Sequence, residues 1–267
     1  MALPPSCPAH ETPDIIKFGI VPYLSPKSII EIFSPIAVRL EKKLGKKVQL
    51  TSAPDAKTFV ERGKNGEYDL ALPTTTTYYK IQPAGYRVIA RGTPSFHTGI
   101  IVRRESEIKS IEQCRGKKIA SHGEFSISYL FFRSQLEEKG INPDKDLDIH
   151  FLGKLDSVIL GVINKQYDAA VLRVDALELS SVAALRGQLR VVGSSPEIPQ
   201  FPFVVKNSMD ERTVAAIREV LTSLSPDNPE DLEILKNLQI KKIVGATKAD
   251  YDQFYEIIKD SEYFRQQ

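Results

Sequence analysis

Twice along this chain an apolar strand, a helix-period segment and another apolar strand follow one another, and this alternation constrains the fold more than any other feature. Ile15 to Val21 is a β-branched run closed by Pro22; with little polar alternation, it predicts a strand buried on both faces. Ser28 then opens a helix whose Ile32, Ile36, Leu40 and Leu44 recur at helical spacing, with Gly45 past its end. Pro35 falls inside that pattern and predicts a bend or a restart. Val48 to Thr51 is a second strand, Ala56 to Lys64 a helix, and Tyr68 to Leu72 a third strand. Strands that are apolar throughout and alternate with helices imply a mainly parallel sheet covered on both faces.

The second block has the same grammar. Lys117 to Ala120 is a strand, Ser126 or Ser128 opens a helix through Glu138 that stops at Gly140, Asp148 to Leu152 is a strand, Asp156 to Lys165 a helix and Asp168 to Leu172 a strand. A Tyr-Asp pair introduces the last strand of each block, in Glu67-Tyr68-Asp69-Leu70-Ala71 and Gln166-Tyr167-Asp168-Ala169-Ala170. The match is too short to prove a repeat alone, but its equivalent placement supports two lobes of one architecture. Thr98 to Val102 and Leu189 to Gly193 are expected to be strands that leave one lobe for the other. The lobes are then 14–97 with 195–267, and 98–194, behind a flexible tail of residues 1–13. Pro196, Pro199 and Pro202 make a rigid extended segment around Phe201 and Phe203, and helices over about 210–224, 229–237 and 248–261 close the chain. Two lobes with two crossings form a cleft that a hinge can close.

Composition removes several classes of function. The 267 residues carry Lys+Arg 36 against Asp+Glu 34, a formal net charge of +2, which argues against nucleic-acid binding. No apolar run approaches the roughly 20 residues of a membrane span. The two cysteines, Cys7 and Cys114, exclude a disulfide framework and a cysteine-rich zinc site. Met1 to Pro13 is rich in Pro and small residues and has neither the basic nor the apolar region of an intact signal peptide. Two readings stay open: a cytoplasmic protein with a loose tail, or an exported one whose leader has been removed. Cys7 as a lipid-anchor site is a less favoured alternative to a solvated tail.

A catalytic constellation is not legible. His10, His97, His122 and His150 contain no i, i+4 metal pair, and no Gly-x-Ser-x-Gly, Walker A or GxGxxG segment occurs. Cys114 fits a buried small hydrophobe better than a reactive thiol, and His150 a surface-facing strand residue. Two loops point to binding instead. Pro73-Thr74-Thr75-Thr76-Thr77 follows a buried strand, at the carboxyl end where open α/β sheets take ligands, although one of those hydroxyls also suits a helix cap. Ser121 to Tyr129 is strand, loop and helix start, where free backbone N–H groups beside Ser126 and Ser128 suit an anion or an ordinary cap.

The chain resembles the phosphate/phosphite/phosphonate-binding proteins of ABC uptake systems, a branch of the type 2 periplasmic-binding-protein fold. The resemblance rests on Phe18-Gly19-Ile20-Val21-Pro22, Ser34-Pro35-Ile36, Leu40 to Val48, Tyr68-Asp69-Leu70-Ala71, Ile100 to Ile108, Arg115 to Ala120, Asn164 to Ala170 and Ser194 to Pro199. It implies two α/β lobes with the ligand cleft between them. The family's Ser-Thr-Ser helix start corresponds to Ser126-Ile127-Ser128, so one hydroxyl is lost. Its Asp-Tyr after the second strand is similar to Asp55-Ala56. Its tyrosine before the first crossover falls at Phe96, followed by His97; its oxyanion-holding histidine falls at Lys154, its glutamate at Asp175, and an aspartate at Phe201. Arg173 stands beside these with no clear counterpart. Tyr23 completes the candidate ligand-binding set with Thr74, Thr75, Thr76, Phe96, His97, Ser126, Ile127, Ser128, Lys154, Arg173, Asp175 and Phe201.

The resemblance implies an extracytoplasmic protein that traps a small anion by hinge closure, a phosphonate or related phosphorus oxyanion first, for an ABC permease. A monomer without cofactor or metal is expected. The substituted pocket suggests a less cationic, more apolar ligand than an aminoalkyl phosphonate. Two alternatives are a ligand-sensing domain for a membrane receptor and an enzyme on the same fold; the latter needs a positioned base or nucleophile, for which only His97, His122 and Asp175 qualify.

Overall fold

The computed structural model describes residues 15–124, 126–179 and 182–259. The tail with Cys7 and His10, and the last helix beyond residue 259, lie outside the described residues. Along the chain run β1 (Ile15–Ile20), α1 (Pro26–Leu44), β2 (Lys47–Thr51), α2 (Ala56–Lys64), β3 (Leu70–Leu72), α3 (Thr75–Ile81), β4 (Tyr86–Thr93) and β5 (Thr98–Arg103). They continue with β6 (Lys118–Ser121), α4 (Ile127–Glu138), α5 (Pro143–Asp146), β7 (Asp148–Phe151), α6 (Leu155–Ile163), β8 (Ala169–Arg173) and β9 (Leu189–Ser194). The chain closes with β10 (Pro202–Lys206), α7 (Glu211–Thr222), α8 (Pro229–Asn237), β11 (Lys242–Gly245) and α9 (Ala249–Ile258).

Contacts group these elements into two compact units, 15–73 with 81–90 and 203–245, and 74–80 with 91–202 and 246–259. The sequence reading gave α3 and α9 to the first lobe. They group with the second unit because Tyr78 meets Tyr251 in a tilted contact and Tyr79 stacks on Tyr255, with centroids 5.9 and 4.3 Å apart, and the Tyr251 hydroxyl donates to the Gln200 carbonyl at 2.7 Å.

The first unit's sheet has the order β11-β4-β10-β3-β1-β2. β1 pairs in parallel with β2 and β3, as the alternation required, while β10 is antiparallel to β3. Phe18 is fully buried between Phe33 and Phe203, with ring centroids 5.9 and 6.4 Å away. α1 is capped by Ser25 rather than Ser28 and runs unbroken through Pro35. The helix keeps Pro35 because its apolar face, Ile29, Phe33, Ile36, Ala37 and Leu40, is buried on both sides of the proline.

The second sheet, β7-β6-β8-β5-β9, is also mixed. β6 is parallel to β7 and β8, and β5 is antiparallel to β8 and β9. The two stretches read as crossing strands therefore pair with each other inside one sheet. Alternate residues feed opposite faces, as strand geometry demands. Ile100, Val102, Ile119, Ala169 and Val171 pack with Tyr129, Phe132 and Leu136 of α4 on one face. Ile101, Ala120, Ala170 and Leu172 pack with Val158, Ile159 and Val162 of α6 on the other. Each fully buried aliphatic side chain in such a layer contributes about 1.5–3 kcal/mol. Cys114 is fully buried in the α4 layer, which pushes its thiol up to about 12 and fits the small hydrophobe read from the sequence.

Candidate functional site

Strand direction gathers most of the candidate residues at one end of the second sheet. β6, β7 and β8 are mutually parallel and end there, and antiparallel β5 begins there, with Thr98 registered against Arg173. Phe96 and His97 precede β5, Ser126 to Ser128 follow β6, Lys154 follows β7, Arg173 ends β8 and Asp175 lies in the turn that follows it.

The loops that lead into α4 and α6 are tied together. Ser121 is registered with Phe151, and beyond the ladder the Leu152 and Gly153 N–H groups donate to the Ser121 and His122 carbonyls at 3.0 and 2.9 Å. Gly153 makes this turn at φ 74°, where a side chain would be strained. The loops that lead into α4 and α6 therefore leave the sheet from neighbouring strands. Ser126 caps α4, its Oγ accepting from the Tyr129 N–H at 3.3 Å. That contact leaves the N–H groups of Ile127 and Ser128 as first-turn donors, and Ser128 itself is buried. α6 starts differently: Lys154 sits at its cap position, exposed, and its side chain accepts nothing from the helix. Within the first turn the Ser157 N–H is taken by Asp156 Oδ1 at 2.8 Å, which leaves the Leu155 and Asp156 N–H groups as donors beside the Lys154 cation, an arrangement that suits an anion. His122, between β6 and α4, is held below its usual range by burial.

Arg173 is engaged rather than a solvated surface cation. Its Nε and Nη2 donate to the two Asp175 carboxylate oxygens at 3.0 and 2.5 Å, its Nη1 donates to Gln200 Oε1 at 3.4 Å, and its guanidinium lies 3.9 Å from the centroid of the buried Phe96 ring. His97 bonds the Ser195 carbonyl through Nδ1 at 2.9 Å, and its backbone carbonyl accepts from Val174 N–H at 2.8 Å. Gln200 and Ser195 escaped the sequence reading, and nothing in their neighbourhood signals these roles. Phe201 follows Gln200 and is half-buried.

The remaining candidates are placed elsewhere. Thr74 Oγ1 accepts from Thr77 N–H at 3.1 Å and bonds the Thr76 and Thr77 hydroxyls at 2.9 and 3.0 Å, so this loop caps its own helix. Thr75 is buried on the same turn. Tyr23 belongs to the first unit, where its N–H donates to the Val21 carbonyl at 2.8 Å. Asp55 caps α2, accepting from Thr58 N–H at 2.7 Å, and that hydrogen bond lowers its pKa. His150 pairs with Asp148 at 2.9 Å and lies against Tyr167, on the strand surface expected for it.

Comparison with known proteins completes the picture. A family described as the periplasmic substrate-binding protein of phosphonate ABC transporters matches residues 18–251. The chain is 24% identical over 257 residues to the phosphonates-binding periplasmic protein of Escherichia coli (strain K12), covering 86% of this chain and 72% of that protein. It is 25% identical over 235 residues to the phosphate-import protein PhnD of Mycolicibacterium smegmatis, covering 80% and 73%. The fold matches PhnD1 of Prochlorococcus marinus, solved in complex with methylphosphonate, at a TM-score of 0.76 and 18% identity over 91% of this chain and 96% of that one. With this fold and a match across nearly its whole length, the chain belongs to the phosphonate-type periplasmic substrate-binding proteins of ABC transporters, a family of binding components and not of enzymes.

Proposed function

We propose that this protein captures a small phosphorus oxyanion, a phosphonate or phosphate, at the paired starts of α4 and α6 and presents it to a membrane permease. The observation that carries the reading is the pair of helix starts that follow neighbouring parallel strands whose loops are bonded together, one lined by Ser126 to Ser128 and the other with Lys154 at its cap position. Helix N-termini hold an anion through backbone donors and dipole together, and a nearby ammonium adds a charge-assisted bond. The names of the relatives support the ligand class. In this reading the protein acts as a monomer outside the cytoplasmic membrane.

A thermal-shift and calorimetric titration with methylphosphonate, phosphate, sulfate and small carboxylates tests it. Ligand at 100 times its dissociation constant stabilises the native state by about 2.7 kcal/mol, a shift of several degrees at this size. Ser128→Ala is expected to weaken binding. Ile127→Thr, which restores a hydroxyl to the helix start, is expected to tighten it. Binding that ignores both substitutions would put the ligand elsewhere.

A further inference from the structure

We propose that Arg173 sets the class of substrate: its guanidinium fills a cation cage with the protein's own charge and so restricts the site to anions without a cationic group. The inference rests on the reading above, that this sheet end takes a phosphorus oxyanion.

The cage has three walls. Phe96 offers a ring face 3.9 Å from the guanidinium carbon, Asp175 both carboxylate oxygens, and Gln200 its amide oxygen at 3.4 Å. A ring face, a carboxylate and an amide oxygen together are the groups that recognise ammonium or guanidinium ions. The walls are fixed from behind. Gln200 is buried, its Nε2 donates to the Pro94 carbonyl at 3.0 Å, and its own carbonyl accepts the Tyr251 hydroxyl at 2.7 Å. Phe96 is held by reciprocal backbone bonds to Ile198 at 2.9 and 2.8 Å. Arg173 is 21% exposed, and its planar fork engages both carboxylate oxygens at once, which the point charge of an ammonium cannot match.

The cage ends β8, and β6, the strand that leads to α4, is the parallel neighbour of β8. Cage and helix starts therefore share one end of the sheet. With Arg173 and Asp175 neutralising each other, attraction for an anion falls to Lys154 and the helix starts. A substrate carrying an amine would bring a second cation to a cage already filled.

Calorimetry with methylphosphonate and aminoethylphosphonate on the wild type and on Arg173→Met tests the proposal; methionine retains an apolar arm over Phe96 without the charge. The wild type is expected to prefer methylphosphonate by about tenfold or more, and Arg173→Met to move that ratio towards the amine by about tenfold or more. Adding Asp175→Asn to Arg173→Met should cancel the gain. Asp175→Asn alone gives a second reading that does not depend on the first variant folding: the released guanidinium should bind methylphosphonate several-fold tighter. A wild type that takes both compounds equally, a ratio that Arg173→Met leaves unchanged, or Asp175→Asn without tighter binding overturns the proposal. A wild type that binds neither compound overturns the oxyanion reading, and this proposal with it.

Discussion

The two units repeat one βαβ segment, and the repeat differs at the helix start. After α2 come Asn65 at the C-cap, Gly66 at φ 68° and then Tyr68-Asp69; after α6 come Asn164, Lys165 at φ 62° and then Tyr167-Asp168. Asp69 Oδ2 accepts the N–H of Lys17, the third residue of β1, at 2.8 Å, and Asp168 Oδ2 accepts that of Lys118, the first of β6, at 2.9 Å. Both tyrosines lie where a neighbouring glycine leaves space: a Cβ would fall 2.5 Å from Tyr68 at Gly19 and 2.7 Å from Tyr167 at Gly161. The two scaffold ends are therefore alike in the Tyr-Asp pair and in the strand N–H that its aspartate accepts, although Gly19 lies in β1 and Gly161 in α6. At the other end, α2 is closed by the Asp55 carboxylate, whereas α6 has Lys154 and no side-chain cap. In both helices the third N–H of the first turn is taken by an aspartate, Thr58 by Asp55 and Ser157 by Asp156 at 2.8 Å, so what separates the two starts is the Lys154 cation at the cap position where α2 has the Asp55 carboxylate.

Substitutions at the two starts test that difference most strongly. Lys154→Asp supplies a cap and reverses the local charge; methylphosphonate affinity is expected to fall about 100-fold while the melting temperature holds or rises. Asp55→Lys is the mirror experiment: it should lower the melting temperature and leave affinity unchanged. The shared end should respond alike in both units. Asp69→Ala and Asp168→Ala are each expected to cost about 1.5–3 kcal/mol in denaturant unfolding. Asp69 should cost more because it also pairs with Lys206 at 3.1 Å. Equal affinity for ligand in both variants would keep these aspartates in the scaffold.

Smaller effects sharpen the comparison. Lys165→Gly should stabilise by about 0.5–1 kcal/mol, since glycine relieves the left-handed backbone, and Gly66→Ala should destabilise by about 1 kcal/mol. Burial keeps the His122 imidazole neutral in the fold, while the unfolded chain takes up a proton near pH 6.5. Its contribution to stability is therefore complete above that pH and lost as pH falls towards the lowered native pKa. His122→Asn should flatten that part of the stability profile, measured by melting between pH 5 and 7.

Local pattern carried the elements that local sequence determines. α2 has the same bounds in sequence and structure, and α4 begins at the Ser126 cap. β4 and β11 were not legible, because what makes them strands is pairing with distant segments in the order β11-β4-β10. Pro35 misled because it signals only the lost hydrogen bond and not the apolar face that holds α1 together. At the site, the serines and Lys154 were legible from strand-loop-helix order. The restraint on Arg173 was not, since Phe96 and Gln200 reach it from 77 and 27 positions away. The Thr74, Thr76 and Thr77 hydroxyls look available because the sequence does not record that they bond one another.

The most direct test of the account is the dissociation constant of methylphosphonate, measured by titration calorimetry for the wild type and Lys154→Asp at one pH and salt concentration. The cation at this helix start predicts a saturable one-site isotherm in the wild type and a loss of about 100-fold in the variant, with the fold intact by circular dichroism. Equal constants for the two proteins would contradict it.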